Sequence, residues 1–125
     1  GLPALMRAED VQKKAARVGF DWPDAAGVIE KVREELGEIS RELDLGDRAR
    51  IEDEVGDLLF SAVNLARAVG VEAESALRHA SAKFERRFRA MEKAIQAKGL
   101  RMGDCGIEQM EAEWQAAKRG EKTPD

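Results

Sequence analysis

The sequence predicts an all-α protein, built as an antiparallel bundle of four to five helices. Three observations support this class: apolar residues recur at helical spacing along most of the 125 residues, only 3 residues are Pro, and aromatic residues make up only 5%. A chain of this length fits one compact domain. We expect that domain to span residues 1–118 and residues 119–125 to form a flexible tail.

The first two helices are predicted at residues 4–18 and from about residue 25. In the first, Val11, Ala15 and Val18 share one face, and Gly19 follows as a stop signal. Asp24 precedes the second helix and can cap its free N–H groups. The apolar residues of the second helix fall within an arc of about 80°. They are Val28, Val32, Leu36, Ile39 and Leu43.

A turn at Gly46 and Asp47 predicts that the second helix pairs with an antiparallel third helix, from about Arg48 to Val69. The apolar arc of the third helix is wider than a surface helix needs, which indicates burial against more than one partner. Its members are Ile51, Val55, Leu58, Leu59, Ala62, Val63, Ala66 and Val69.

The fourth and fifth predicted helices each carry a single apolar stripe. The stripe of the fourth helix ends before Gly99 and comprises Leu77, Ala80, Phe84, Phe88, Met91 and Ile95. A loop with Gly103 and Gly106 follows. The stripe of the fifth helix comprises Ile107, Met110, Trp114 and Ala117.

Composition narrows the choice of partners and compartment. Acidic residues outnumber basic ones by 25 to 21, which does not support a broad nucleic-acid surface. No apolar run approaches the roughly 20 residues of a membrane span, and the first residues lack the pattern of an export signal. The single Cys105 cannot form an internal disulfide. We therefore expect a cytoplasmic protein with no nucleic-acid or membrane partner.

Two pairs of carboxylates at i, i+3 spacing face each other across the predicted hairpin. Glu35 and Glu38 lie on the second helix beside Glu34, and Glu54 and Asp57 lie on the third. At a rise of about 1.5 Å per residue, Glu38 is roughly 7.5 Å from the turn and Glu54 roughly 9 Å. Glu35 and Asp57 are at roughly 12 and 13.5 Å. These matching heights allow four carboxylates to converge on one cation, and oxygen ligation suits Mg2+ or Mn2+. A highly charged chain also produces such pairs as solvated groups, so spacing alone leaves both explanations open.

Other kinds of catalytic site have less support. A di-iron bundle uses Glu-x-x-His motifs, and the only histidine, His79, lies outside both carboxylate pairs. The sequence contains neither a glycine-rich phosphate loop nor a Ser/His/Asp set, so covalent catalysis is not expected.

A basic and aromatic set occupies the last two helices. Lys83 and Arg87 lie at i, i+4, a spacing that can clamp phosphate oxygens, although both can also simply solvate a helix face. Trp114 and Lys118 repeat this spacing and can stack a base and hold a phosphate. The pattern alone favours core packing of Trp114 over a substrate contact. Asn64 extends the polar stripe of the third helix beyond Glu54 and Asp57.

Several of these segments, taken in order, resemble a known family. The residues concerned are KKAARVGFDW from Lys13 to Trp22, EExxE from Glu34 to Glu38, ExxDLLF from Glu54 to Phe60, NLAR from Asn64 to Arg67 and KFERRF from Lys83 to Phe88. Together they closely resemble the MazG family of nucleoside triphosphate pyrophosphohydrolases, in particular the C-terminal domain of its two-domain members. The resemblance covers about Leu2 to Lys118.

The resemblance implies a MazG-like fold completed by dimerisation, and Mg2+-dependent cleavage of nucleoside triphosphates between the α and β phosphates. It implies metal ligands at Glu35, Glu38, Glu54 and Asp57, with Glu34 as an outer group or water activator. Lys83 and Arg87 then become the triphosphate clamp and stabilise charge on the leaving side. The remaining substrate contacts that it implies are Trp114, Lys118 and, for sugar or phosphate, Asn64.

Two alternatives stay open at this point. One is a non-catalytic helical dimeric interaction module with an acidic face. The other is a pyrophosphatase restricted to dUTP, dCTP or a damaged nucleotide, because nothing in the sequence sets the base preference.

Overall fold

A computed structural model describes residues 1–121 and shows five α-helices in that range. Helix α1 spans Ala4–Arg17, α2 Ala25–Leu45, α3 Arg48–Ala68, α4 Ala73–Ala97 and α5 Ile107–Arg119. Residues 1–121 contain no strand, so the predicted all-α class is confirmed. A 3-10 turn at Met102–Asp104, in the predicted glycine-containing loop, was not predicted. Most of the predicted tail, residues 122–125, lies outside the described residues.

The chain divides into two compact units, one of residues 1–76 and one from residue 77 onward. The first unit contains α1, α2 and α3, with α3 packed against both other helices. The second contains α5 and all but the first turn of α4. The sequence did not predict this division.

The ends of α2 and α3 follow the predicted capping signals. Asp24 accepts a hydrogen bond from the backbone N–H of Gly27 at 3.0 Å, and Asp47 accepts one from Arg50 at 3.3 Å. Gly46 ends α2 with a φ of 72°, a conformation that a side chain would strain. The two-residue connection makes α2 and α3 an antiparallel hairpin, which sets the carboxylates of one helix against those of the other.

The predicted apolar stripes are only partly buried. Val28 and Val63 form the buried apolar core of the first unit, and Met91 and Ile95 that of the second. Other members of the same stripes remain exposed in the single chain. The larger of them are Leu36, Leu43, Val55, Leu59, Val69, Leu77, Phe84 and Phe88. Their side chains therefore form apolar surface that one copy of the chain does not cover.

Candidate active site

Three carboxylates converge where α2 and α3 pack together. Oxygen atoms of Glu35, Glu38 and Glu54 all lie within 4.8 Å of one another. Glu35 is buried, with 3% of its surface exposed, and Glu38 and Glu54 are half-buried. The hairpin thus brings Glu38 and Glu54 together at the level expected from the rise per residue, and adds Glu35 from one turn away.

The three carboxylates of the cluster lie close enough to repel one another, and the Lys31 ammonium balances only part of their charge. Hydrogen bonding to Glu38, burial, and repulsion by Glu38 and Glu35 raise the pKa of Glu54 to about 7. One oxygen of Glu35 and one of Glu54, Oε2 in each, are buried and have no hydrogen-bond partner among the described residues. Buried acceptors without donors are costly, and a bound cation would satisfy both. The donor set and its two unpaired oxygens therefore fit a hard divalent cation such as Mg2+ or Mn2+.

Lys31 is the basic group beside this cluster. Its Nζ lies 3.1 Å from Glu35 Oε1 and 3.4 Å from Glu34 Oε1. Hydrogen bonding to Glu35 raises the pKa of Lys31. Glu34 is exposed and joins the site through Lys31, outside the group of three carboxylates. The sequence reasoning missed Lys31, although its i, i+4 spacing from Glu35 was readable.

Asp57 lies beside the cluster but outside the group of three carboxylates. Burial and the charges of Asp53 and Glu35 raise the pKa of Asp57, and Lys31 opposes them. Asp57 and Glu35 also line the same cavity. The fourfold convergence predicted from helical heights is therefore reduced to three carboxylates with Asp57 adjacent. Its place among the ligands stays a prediction.

A cavity of about 610 Å3 opens next to these carboxylates within the first unit. Its aromatic wall consists of Phe20, Trp22 and Phe60, and its polar wall includes Asn64 and Ser61. The volume lies in the range of small-molecule sites, which are mostly apolar with a few placed polar groups. The sequence did not predict this cavity, nor that Phe20 and Trp22, between α1 and α2, form part of a site.

The connector between α1 and α2 is anchored on α3. The guanidinium of Arg67 donates to both carboxylate oxygens of Asp21, at 3.4 and 3.1 Å. Arg67 also donates to Asn64 Oδ1 at 3.1 Å. Trp22 packs on the first turn of α2, because a Cβ at Gly27 would lie 3.2 Å from its ring. This anchoring positions Trp22 in the wall of the cavity.

The predicted basic and aromatic residues lie in the second unit. Arg87 is buried and donates two hydrogen bonds to Glu121, from Nε at 2.9 Å and from Nη2 at 3.0 Å. Its guanidinium carbon is 6.0 Å from the Trp114 ring centre, and that ring packs at 5.0 Å against Phe84. Lys83 is half-buried and Lys118 is exposed. The contacts of Trp114 satisfy the packing explanation, and its role toward substrate stays a prediction.

Comparison with known proteins identifies the family. The model of the MazG nucleotide pyrophosphohydrolase domain matches residues 24–91, more than half of the chain. The chain belongs to the MazG family. The match includes the carboxylates of α2 and α3 together with Lys83 and Arg87, whereas Trp22, Trp114 and Lys118 lie outside it.

Individual MazG-family relatives agree with this assignment. The chain is 51% identical over 122 residues to a nucleoside triphosphate pyrophosphohydrolase of Escherichia coli K12, covering 96% of this chain and 46% of that protein. It is 46% identical over 122 residues to the nucleoside triphosphate pyrophosphohydrolase/pyrophosphatase MazG of Thermotoga maritima, covering 98% and 47%. The chain thus spans about half the length of these curated relatives. A shorter match, 42% identical over 69 residues, is to the uncharacterized protein YabN of Bacillus subtilis.

The described residues contain no helix with both the length and the apolar character needed to cross a membrane.

Proposed function

We propose that this MazG domain hydrolyses nucleoside triphosphates between the α and β phosphates, releasing a nucleoside monophosphate and pyrophosphate. The observation that supports this best is the convergence of Glu35, Glu38 and Glu54, with buried unpaired oxygens, beside a cavity with an aromatic wall. The names of the E. coli and T. maritima relatives support the same reaction class.

The carboxylates are assigned to Mg2+, with Mn2+ as a substitute. Glu35, Glu38 and Glu54 are proposed as ligands, and Asp57 as a fourth ligand or an adjacent acceptor. When bound, the ion neutralises phosphate oxygens and so lowers the barrier to attack by water. The residues present fit this ion, because a hard divalent cation prefers oxygen ligands and two of these oxygens lack other partners among the described residues.

The protein's own groups carry the remaining steps. A water oxygen bonds to one of the two phosphorus atoms, the bond from phosphorus to the bridging oxygen breaks, and the water proton passes to a carboxylate. Glu34 is assigned to orient that water or to receive the proton. Lys83 and Arg87 are assigned to the triphosphate and stabilise the charge that develops on the leaving group. No protein nucleophile is required.

The nucleoside end of the substrate is assigned to aromatic and amide groups. The cavity walls at Trp22 and Phe60 suit stacking of a base, and Asn64 suits a sugar or phosphate contact. Trp114 and Lys118 remain proposed contacts to base and phosphate. A cytoplasmic location, without nucleic-acid or membrane partners, stays a prediction.

A homodimer is proposed as the functional assembly. Leu59 is 55% exposed and Leu36 50% exposed on the helices that carry the carboxylates, so a large apolar area remains uncovered. A second copy would cover it, as obligate dimers do with apolar faces. Sedimentation of the purified chain tests this, and a monomer at micromolar concentration contradicts it.

The direct test of the reaction is incubation with each of the eight common nucleoside triphosphates and Mg2+, with products separated by anion exchange. Monophosphate and pyrophosphate in equal amounts are expected from the wild-type chain and not from Glu38→Gln. Diphosphate and inorganic phosphate would indicate another reaction. If every triphosphate stays intact with Mg2+ and with Mn2+, the proposal fails and the non-catalytic dimeric module is favoured.

A further inference from the structure

Gln12 on α1 has a buried side-chain amide, and its hydrogen bond to α3 fixes which way the amide faces. It is 5% exposed, and its Nε2 donates to the backbone oxygen of Phe60 on α3 at 2.9 Å. A carbonyl oxygen only accepts, so the nitrogen of the amide must face it. The Oε1 atom is therefore held as an acceptor on the other arm of the amide.

That acceptor is unsatisfied. Gln12 Oε1 is buried and has no hydrogen-bond partner within residues 1–121. Buried side-chain polar atoms are in large majority paired, and an exception calls for an explanation such as a ligand. A flip of the amide would not help, because it would break the bond to Phe60 and place two acceptors together.

Gln12 also forms part of the wall of the 610 Å3 cavity, next to the aromatic residues. The same cavity is lined by Glu35 and Asp57. Along α3, Phe60 is three positions beyond Asp57 and six beyond Glu54, which corresponds to about 4.5 and 9 Å at the rise of an α-helix. The buried acceptor and the carboxylates thus lie at different levels of one site, as the base and phosphates of a nucleotide require.

We propose that Gln12 is a specificity-determining residue, whose Oε1 accepts a hydrogen bond from an N–H group on the base of the bound nucleoside triphosphate. This inference rests on the proposed function and adds the group that reads the base. Because Oε1 can only accept, it favours a base that presents an exocyclic amine to it and disfavours one that presents an acceptor there. A ribose hydroxyl is the other donor of a nucleotide, but the aromatic wall favours the base.

The test compares nucleotides that differ in one kind of hydrogen-bond donor, either the base amine or the ribose hydroxyls. We would measure kcat/KM for ATP, for purine riboside 5′-triphosphate, which lacks the amine, and for 2′,3′-dideoxy-ATP, which lacks the hydroxyls. CTP and 2-pyrimidinone riboside 5′-triphosphate form a second matched pair. Each is measured on the wild-type chain, on Gln12→Met, which keeps length but removes the amide, and on Gln96→Met, the same change at an exposed position of α4.

In at least one pair, the wild-type chain and Gln96→Met should prefer the substrate with the base amine by about tenfold or more. Gln12→Met should reduce that preference to about twofold or less. The dideoxy penalty, which is the ratio of kcat/KM for ATP to that for 2′,3′-dideoxy-ATP, should be unchanged. A ratio of two substrates on one variant does not depend on how much of the variant is folded. Equal preference in Gln12→Met and wild type overturns the inference, and so does loss of the dideoxy penalty, which would place a hydroxyl at Gln12.

Binding separates this inference from the proposed reaction. The same ratios are read from Kd by calorimetry with Ca2+ in place of Mg2+. If the substrate preference in the Ca2+ binding measurement depends on Gln12 but no triphosphate is hydrolysed in the Mg2+ assay, the inference is supported and the reaction is refuted. Hydrolysis with a preference independent of Gln12 refutes the inference alone. Absence of both binding and hydrolysis refutes both.

Discussion

Arg67 on α3 donates two hydrogen bonds to Asp21 in the α1–α2 connector, although the two residues are 46 positions apart in sequence. The guanidinium lowers the pKa of Asp21, so the carboxylate stays charged to a lower pH than an ordinary aspartate does. A third bond from Arg67 reaches Asn64 in the cavity wall. One side chain thus positions both the connector and an amide of the candidate site.

Arg67→Lys should weaken substrate binding with little effect on the chemical step. An ammonium cannot reproduce the planar two-pronged contact, so the connector bearing Trp22 loosens. We expect KM for a hydrolysed triphosphate to rise severalfold and kcat to change by less than about twofold. Arg33→Lys, at an exposed position of α2, is the control. A fall in kcat at unchanged KM would contradict the positioning role.

Substitution of the carboxylates should strongly reduce activity without unfolding the protein. Glu38→Gln, Glu54→Gln and Asp57→Asn each remove one charge from the site, and we expect Mg2+-dependent release of pyrophosphate to fall by at least about 10- to 100-fold. Glu52→Gln, at an exposed position of α3, should retain activity. Circular dichroism should report the same helix content in all variants. Full turnover in the three site variants would remove the metal assignment.

The stability of the metal-free protein should depend on pH through Glu54. Its pKa of about 7 in the folded chain exceeds the ordinary value of 4.5, so between these values the folded state binds more protons than the unfolded state. The free energy of unfolding should therefore fall as pH rises from about 4.5 to about 7. Asp57 acts in the same direction, because its pKa is also raised.

Urea unfolding across this pH window measures the effect. Glu54→Gln should flatten the dependence, and Mg2+ should stabilise the wild-type chain more at pH 7.5 than at pH 5. Equal stabilisation at both pH values would argue against a cation at these carboxylates.

Trp114→Ala should raise KM more than it lowers kcat, because stacking chiefly serves binding. Base–aromatic stacking of about 1–3 kcal/mol corresponds to a rise in KM of about 5- to 150-fold. Trp114→Phe should keep much of the stacking, so its KM should rise less than that of Trp114→Ala. The ring also packs on Phe84, so thermal unfolding is measured alongside. A loss of stability at unchanged KM would assign Trp114 to packing alone.

Gly27→Ala should disturb the cavity, whereas Gly37→Ala should not. Both glycines lie in α2, where alanine favours the helix by about 1 kcal/mol. At Gly27, however, the new Cβ lies 3.2 Å from Trp22, so the ring must shift; at Gly37 the nearest atom is the tip of Arg41 at 3.6 Å. We expect KM to rise only for Gly27→Ala. In a Trp22→Ala background this rise should vanish, and its persistence would show that Trp22 is not the cause.

The helices were predictable from local chemistry. Residues at 3.6-residue spacing, the caps at Asp24 and Asp47, and the glycine at position 46 act within a few positions of each other, so each can be read from a short window. The level of Glu38 against Glu54 was also readable, because a tight turn fixes the register of two antiparallel helices. The exposed Leu36 and Leu59 show the limit, because helical spacing identifies an apolar face without identifying what covers it.

The sequence by itself determined the helical class, the helix ends and the acidic hairpin, because these depend on local spacing and short connections. Only the tertiary structure decided which carboxylates meet, since the three that converge depend on side-chain directions across α2 and α3. The tertiary structure also decided where the cavity lies and which contacts hold its walls in place. The contacts of Gln12 with Phe60 and of Asp21 with Arg67 join residues 48 and 46 positions apart, and no local pattern encodes a contact made only when helices pack.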